Sequence, residues 1–158
     1  MSADLGERAP EFTLQGIVNG ERREFSLSEF RGAPLVIAFY PGDNTPGCTA
    51  QLCSYRDEFE EFRALDAAVV GISPQGVDSH EGFASKRSLP FPLLADTDLS
   101  VAAAYEVTAP LIKLRRSVFI LDAQGVVRYK HVAVIGVTYR KPGELLEVLR
   151  SLGSASAH

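Results

Sequence analysis

Pro41-Gly-Asp-Asn-Thr45-Pro-Gly-Cys48-Thr-Ala-Gln51-Leu-Cys53 holds both cysteines of the 158-residue chain. A continuous apolar run, Pro34-Leu-Val-Ile-Ala-Phe-Tyr40, stands ahead of it. Rich in β-branched and aromatic residues, that run predicts a strand buried on both faces. Behind it, Leu52, Tyr55, Phe59 and Phe62 recur at helical spacing. The stretch is therefore a loop leaving the end of a central strand and entering a helix, where open α/β sheets place their ligands.

The loop residues fit a helix start. Thr45 suits an N-cap, and Pro46 suits the first helical position because it has no N–H to leave unpaired. Gly47 carries no Cβ, so a small ligand can approach the backbone. Cys48 then falls in the first turn, where unsatisfied N–H groups and the helix dipole favour an anion. A thiol there is expected to ionise more readily than a free one, whose pKa is about 8.5. Cys48 shares a line with Leu52, Tyr55 and Phe59, so it is expected to point inward. The plainer alternative is a small buried hydrophobe.

Pro41-x-x-x-Thr45-x-x-Cys48 matches the active-site pattern of the peroxiredoxins, and FYPGDNTPGCTAQLCSYRDEF resembles the peroxiredoxin Q subgroup, also called bacterioferritin comigratory protein. The resemblance runs from about Gly6 to about Leu152. It implies a peroxidatic Cys48 and, five residues on, a resolving Cys53; the alternative for Cys53 is an inert thiol in a one-cysteine enzyme. Peroxiredoxins also place an arginine at the start of a later strand, in a pattern like Arg-x-Ser/Thr-Phe. Within Leu114-Arg-Arg-Ser-Val-Phe119, Arg116 aligns with it and Arg115 does not; Val118 stands at the usual Ser/Thr position. A fixed guanidinium would stabilise the thiolate and orient peroxide oxygens.

The implied chemistry is that of an atypical 2-Cys peroxidase. Cys48 attacks a peroxide and becomes a sulfenic acid. Thr45 and the Cys48 N–H hold the peroxide, Arg116 stabilises developing charge, and Pro41 shields the sulfur. Cys53 then closes an intramolecular disulfide, which thioredoxin or a similar dithiol reduces. No metal, haem, flavin or other cofactor is implied. Two other classes stay open: a redox-switch signalling or chaperone protein using the same pair, and a non-catalytic thioredoxin-fold binding module.

Composition agrees with one soluble globular domain spanning residues 1–158: 46% hydrophobic and 23% charged residues, net charge −4. The acidic balance and the lack of a basic run argue against a nucleic-acid partner. No stretch approaches the roughly 20 apolar residues of a membrane span. MSADLGERAP lacks an apolar signal core, so the expectation is a cytoplasmic protein, acting as a monomer or a weak dimer. In that compartment two cysteines suit catalysis better than a structural bridge.

The remaining elements predict a thioredoxin-like α/β fold of the peroxiredoxin type, a mixed sheet flanked by helices with an added N-terminal β-hairpin. That hairpin turns at Asn19-Gly20. Ser28 to Gly32 is a helical turn, and the cysteine helix ends near Leu65. Ala67 to Ser73 is a second buried strand, and Asp78 caps a helix reaching about Ser88. Leu93 to Ala95 is a short strand and Leu99 to Tyr105 a short helix. Ser117 to Leu121 and Val126 to Val132 form a hairpin, and a terminal helix runs from Pro142 to Leu152, leaving 154–158 as a disordered tail. His80 is expected on a helix surface, His131 near a strand end, and Asp43 and Asn44 in the turn; Gln51, one turn after Cys48, is expected in solvent, with contact to the site as the alternative. Cys-x4-Cys with scattered histidines is not a zinc pattern.

Spacing adds a mechanical constraint. Five residues along a helix rise about 7.5 Å and turn roughly 140°. A disulfide needs Cα atoms within about 7 Å and facing each other. Cys48 and Cys53 therefore cannot bond while the helix is intact.

Overall fold

The structure, a computed structural model, describes residues 4–43, 46–109, 113–133 and 141–156. It opens with the expected hairpin, β1 (Thr13–Val18) and β2 (Glu21–Ser26). Asn19 and Gly20 join them with φ of 50° and 80°. Two consecutive positive φ values define the turn whose twist matches that of paired strands. A 3-10 turn, Leu27–Phe30, leads to β3 (Leu35–Phe39), all five residues of which are buried. Then come α1 (Pro46–Asp57), α2 (Phe59–Ala64), β4 (Ala68–Ser73), α3 (Val77–Arg87), β5 (Leu93–Ala95) and α4 (Ser100–Ala104). A small ladder, β6 (Thr108–Ala109) with β7 (Lys113–Leu114), precedes the hairpin β8 (Ser117–Leu121) and β9 (Val127–Val132); α5 (Pro142–Ser156) closes the chain.

The seven main strands lie in the order β2-β1-β5-β4-β3-β8-β9. β3 pairs in parallel with β4, and β4 with β5, while the other neighbours are antiparallel. This is the expected mixed thioredoxin-like sheet. Alternation along β3 divides the core into two layers. Leu35, Ile37 and Phe39 join Val101, Ala102 and Tyr105 of the α4 region on one face. Val36, Ala38 and Tyr40 join Leu52 and Tyr55 of α1, Phe62 of α2, Phe83 of α3 and Leu145 and Leu149 of α5 on the other. Among the described residues no helix is long and apolar enough to cross a membrane.

Register fixes where the site forms. β3 and β4 both end at the same edge, and antiparallel pairing sets Phe39 opposite Ser117. Arg116, one residue before Ser117, thus arrives at the edge where the chain leaves β3 toward α1.

Four details differ from the sequence expectations. The cysteine helix breaks at Glu58, with φ −102° and ψ 14°, before α2 begins. On either side of the break Tyr55 meets the Phe62 ring edge-on and Phe59 packs against Phe91. α3 starts at Val77 with Gly76 as its cap, so Asp78 lies inside the first turn and pairs with Arg22 at 2.7 Å. The β6–β7 ladder had no sequence counterpart because two-residue strands carry too little pattern. α5 runs on through Ser156, so 154–156 are helical rather than a disordered tail. Alanine and serine continue a helix at little cost, and one glycine, Gly153, weakens it by only about 1 kcal/mol.

Candidate active site

Cys48 is the third residue of α1 and is fully buried. Positions three, four and seven residues further lie on its face of the helix. Gln51, Leu52 and Tyr55 occupy them, and all three are buried. Leu52 and Tyr55 pack beside Cys48 against β3. Gln51 is the polar member of this stripe, and burial obliges its amide to find partners.

Arg116 supplies one. Alternation places Arg116 on the face of Val118 and Ile120, which pack in the same layer as Cys48. Its side chain is nearly buried, and Nη2 approaches the Cys48 sulfur at 3.3 Å. Nη1 donates to Gln51 Oε1 at 2.7 Å, and Gln51 Nε2 donates to the Tyr55 hydroxyl at 3.1 Å. One planar fork is thus held at two points, one of them the sulfur. Arg116 Nε is buried with no hydrogen-bond partner among the described residues. Such a cluster, an N-terminal helix thiol under a guanidinium, can hold negative charge on sulfur and on an attacked oxygen.

The other expected residues fall as follows. Cys53 lies on α1 and is half-buried; both sulfurs are thiols. Pro41 is half-buried directly after Tyr40, at the mouth of the loop. Thr45 and Asn44 lie outside the described residues. Arg115 is half-buried, and its backbone N–H donates to Val107 O at 2.7 Å.

Two residues contradict their expected surroundings, and a third, Asp43, lies in the expected turn with more partners than a turn requires. Gln51 is inside rather than in solvent, as its helical phase with Leu52 and Tyr55 would have indicated. His80 is fully buried on α3, three residues before the buried Phe83, a spacing that also carried the signal. Asp43 is buried as well and does more than shape a turn. It accepts from the Tyr40 hydroxyl at 2.7 Å and the Ser79 hydroxyl at 2.7 Å, and its Oδ2 lies 2.7 Å from His80 Nδ1. Burial, and then the Asp43 charge and hydrogen bond, push the Tyr40 phenol well above its ordinary pKa, so it stays a donor. Tyr40 packs in the same cluster as Cys48, beside the site.

The AhpC/TSA family profile matches residues 5–130. The chain is 40% identical to a putative chloroplastic peroxiredoxin Q of Oryza sativa subsp. indica, across 93% of this chain and 67% of that protein. It is 37% identical to peroxiredoxin Bcp of Bacillus subtilis, across 79% of this chain and 82% of that one. Peroxidoxin BcpB of Mycobacterium tuberculosis superposes with a TM-score of 0.80 at 29% identity, covering 95% of this chain and 96% of its own. AhpC of Enterococcus faecalis superposes with a TM-score of 0.91 at 20% identity, covering 100% and 96%, a likeness of fold alone.

Proposed function

The chain belongs to the AhpC/TSA family, among peroxiredoxins of the Q and Bcp type, and from that premise we propose that it reduces hydrogen peroxide and organic hydroperoxides by a two-cysteine cycle on a single helix. It is a thiol-dependent peroxidase by kinship; substrate, disulfide and reductant are the proposal. The carrying observation is the 3.3 Å approach of Arg116 Nη2 to the buried Cys48 sulfur at the start of α1.

The Cys48 thiolate attacks the terminal oxygen of ROOH, breaks the O–O bond and becomes Cys–SOH. RO⁻ leaves and takes a proton to give water or an alcohol. The guanidinium stabilises charge first on sulfur and then on the leaving oxygen. Arg116 Nε is a further buried donor within the same fork. Thr45 supplies a hydroxyl to the peroxide by the family pattern, and Pro41 limits water at the loop mouth. The Cys53 thiolate next attacks the sulfenic sulfur, forming an S–S bond and expelling hydroxide, which takes a proton and leaves as water. That step requires α1 to open, because an intact helix holds the two residues apart. A dithiol such as thioredoxin then reduces the disulfide. Since both sulfurs belong to one helix, a monomer suffices. Its proposed compartment is the cytoplasm, whose reducing pool keeps such thiols available.

The test is peroxide consumption coupled to thioredoxin and its reductase, followed by mass spectrometry of the oxidised protein. Cys48→Ser abolishes consumption, because a serine hydroxyl is not ionised near neutral pH. Cys53→Ser retains one oxidation of Cys48 and loses turnover. Reversal of those two phenotypes would exchange the roles of the sulfurs.

A further inference from the structure

Asp43 lies five residues before Cys48 and three before the first residue of α1. Three residues span at most roughly 11 Å, so whatever fixes Asp43 restricts where α1 can begin. The side-chain partners of its carboxyl group, Tyr40 just after β3 and Ser79 and His80 of α3, belong to other parts of the fold. His80 in turn reaches β5, with Nε2 3.0 Å from Leu94 O. A carbonyl oxygen only accepts, so Nε2 carries a proton. A further proton lies between His80 Nδ1 and Asp43 Oδ2, because a carboxylate and an imine nitrogen cannot accept from one another. The Asp43 and His80 side chains are thus partnered and fully buried.

We propose that the Asp43–His80 pair is a latch that fixes the upstream boundary of the segment that opens during catalysis, and so holds Cys48 in its peroxide-reactive position; Asp43 and His80 are positioning residues. The inference rests on the peroxidase reading above. α3 and β5 need not move when α1 opens, so they offer a stationary anchor. Asp43 also ties down the phenol of Tyr40, which packs in one cluster with Cys48. Without the latch, the open arrangement of α1 gains population before any peroxide arrives.

The experiment compares Asp43→Ala, Asp43→Asn and the parent protein. Asparagine keeps the shape, accepts from Tyr40, and can donate to Nδ1 of a neutral imidazole, so it serves as the conservative rescue. Cys48 alkylation by iodoacetamide is timed in the reduced protein by peptide mass spectrometry, against the alkylation rate of free glutathione under the same conditions. Cys48 oxidation and disulfide formation are then timed separately by stopped flow. Asp43→Ala should label Cys48 about tenfold faster or more, the equilibrium effect of losing a charge-assisted hydrogen bond. It should slow the first oxidation by a similar factor without slowing disulfide formation, and Asp43→Asn should restore most of both. Unchanged labelling, or both chemical steps falling by one common factor, would overturn the latch. If Asp43→Ala does not fold, Ser79→Ala removes one donor at a half-buried position; it should shift labelling the same way by less, and no shift overturns the proposal. Labelling needs no peroxide. It therefore judges the latch even if the parent consumed none, a result that would count against the peroxidase reading instead.

Discussion

Gln51 Oε1 accepts a 2.7 Å hydrogen bond from Arg116 Nη1, while the neighbouring Nη2 faces the Cys48 sulfur. The amide is itself held by Tyr55, so the guanidinium plane is set from the helix that carries the sulfur. Gln51→Ala should lower the rate of Cys48 oxidation about tenfold, the worth of one buried hydrogen bond to a charged group. Gln51→Glu keeps the acceptor and should recover much of it. Stopped-flow oxidation with hydrogen peroxide checks both, and equal rates for parent and Gln51→Ala would remove Gln51 from the site.

The adjacent arginines should separate cleanly. Arg116→Ala removes the cation at the sulfur and should cost about 10²–10³ in the first oxidation, as deleting one preorganised donor does elsewhere. Arg115 belongs to the opposite strand face, so Arg115→Ala should change the rate less than about threefold. A loss confined to Arg115→Ala would refute the assignment.

Much of the candidate site's placement was legible because it is local. Pro41, Cys48 and Cys53 stand in one loop and one helix, and the hairpin at Asn19-Gly20 follows from two residues. Arg116 was reached through a family pattern and is supported by strand phase. Gln51 and His80 were misplaced because polarity was weighed above helical phase, although both stand in line with buried aromatics. Asp43 offered no such signal: its partners Ser79 and His80 are 36 and 37 residues away, and only the tertiary fold brings them together.

Gly71 shows the same dependence on distant packing. A Cβ there would stand 2.9 Å from Leu93 Cδ2 and 3.1 Å from Tyr40 Cε1. Gly71→Ala must therefore displace the Leu93 methyl and press on the buried Tyr40 ring. Overpacking of this kind costs about 1–3 kcal/mol. A urea titration should show that loss, and a midpoint equal to the parent's would mean the ring yields freely.

Acid stability should depend on Asp122. Burial alone would raise its pKa, but hydrogen bonds from the Val126 and Gln124 amides and from Arg128 outweigh it, and the group falls below its usual 3.8. A carboxyl with a lower pKa folded than unfolded stabilises the fold above its unfolded value, and that contribution disappears as pH falls through the folded value. Asp122→Asn should thus lower stability at pH 7 and flatten its decline below about pH 4. Denaturant midpoints from pH 7 to 2 measure this; parallel curves for parent and variant would exclude Asp122 as a contributor.

Oxidation should unwind the start of α1 and stop short of α2. The helix is continuous from Pro46 to Asp57, so a Cys48–Cys53 bond requires its backbone to move. Opening breaks the Arg116–Cys48 and Arg116–Gln51 contacts and loosens Tyr55 from Phe62. It also releases Arg56, whose Nη1 donates to Arg87 O at 2.6 Å. Glu58 already interrupts the helix, so unwinding meets a boundary there and need not spread. β3 is paired on both sides and buried throughout, and it has no reason to open. Hydrogen exchange of reduced and oxidised protein should show amides of residues 48–56 losing protection and those of residues 36–39 keeping it. The opened segment would also present the disulfide to a bulky protein reductant, which cannot reach a buried bond. If mass spectrometry found the Cys48–Cys53 bond while exchange across residues 48–56 stayed unchanged, the requirement for helix opening would be wrong.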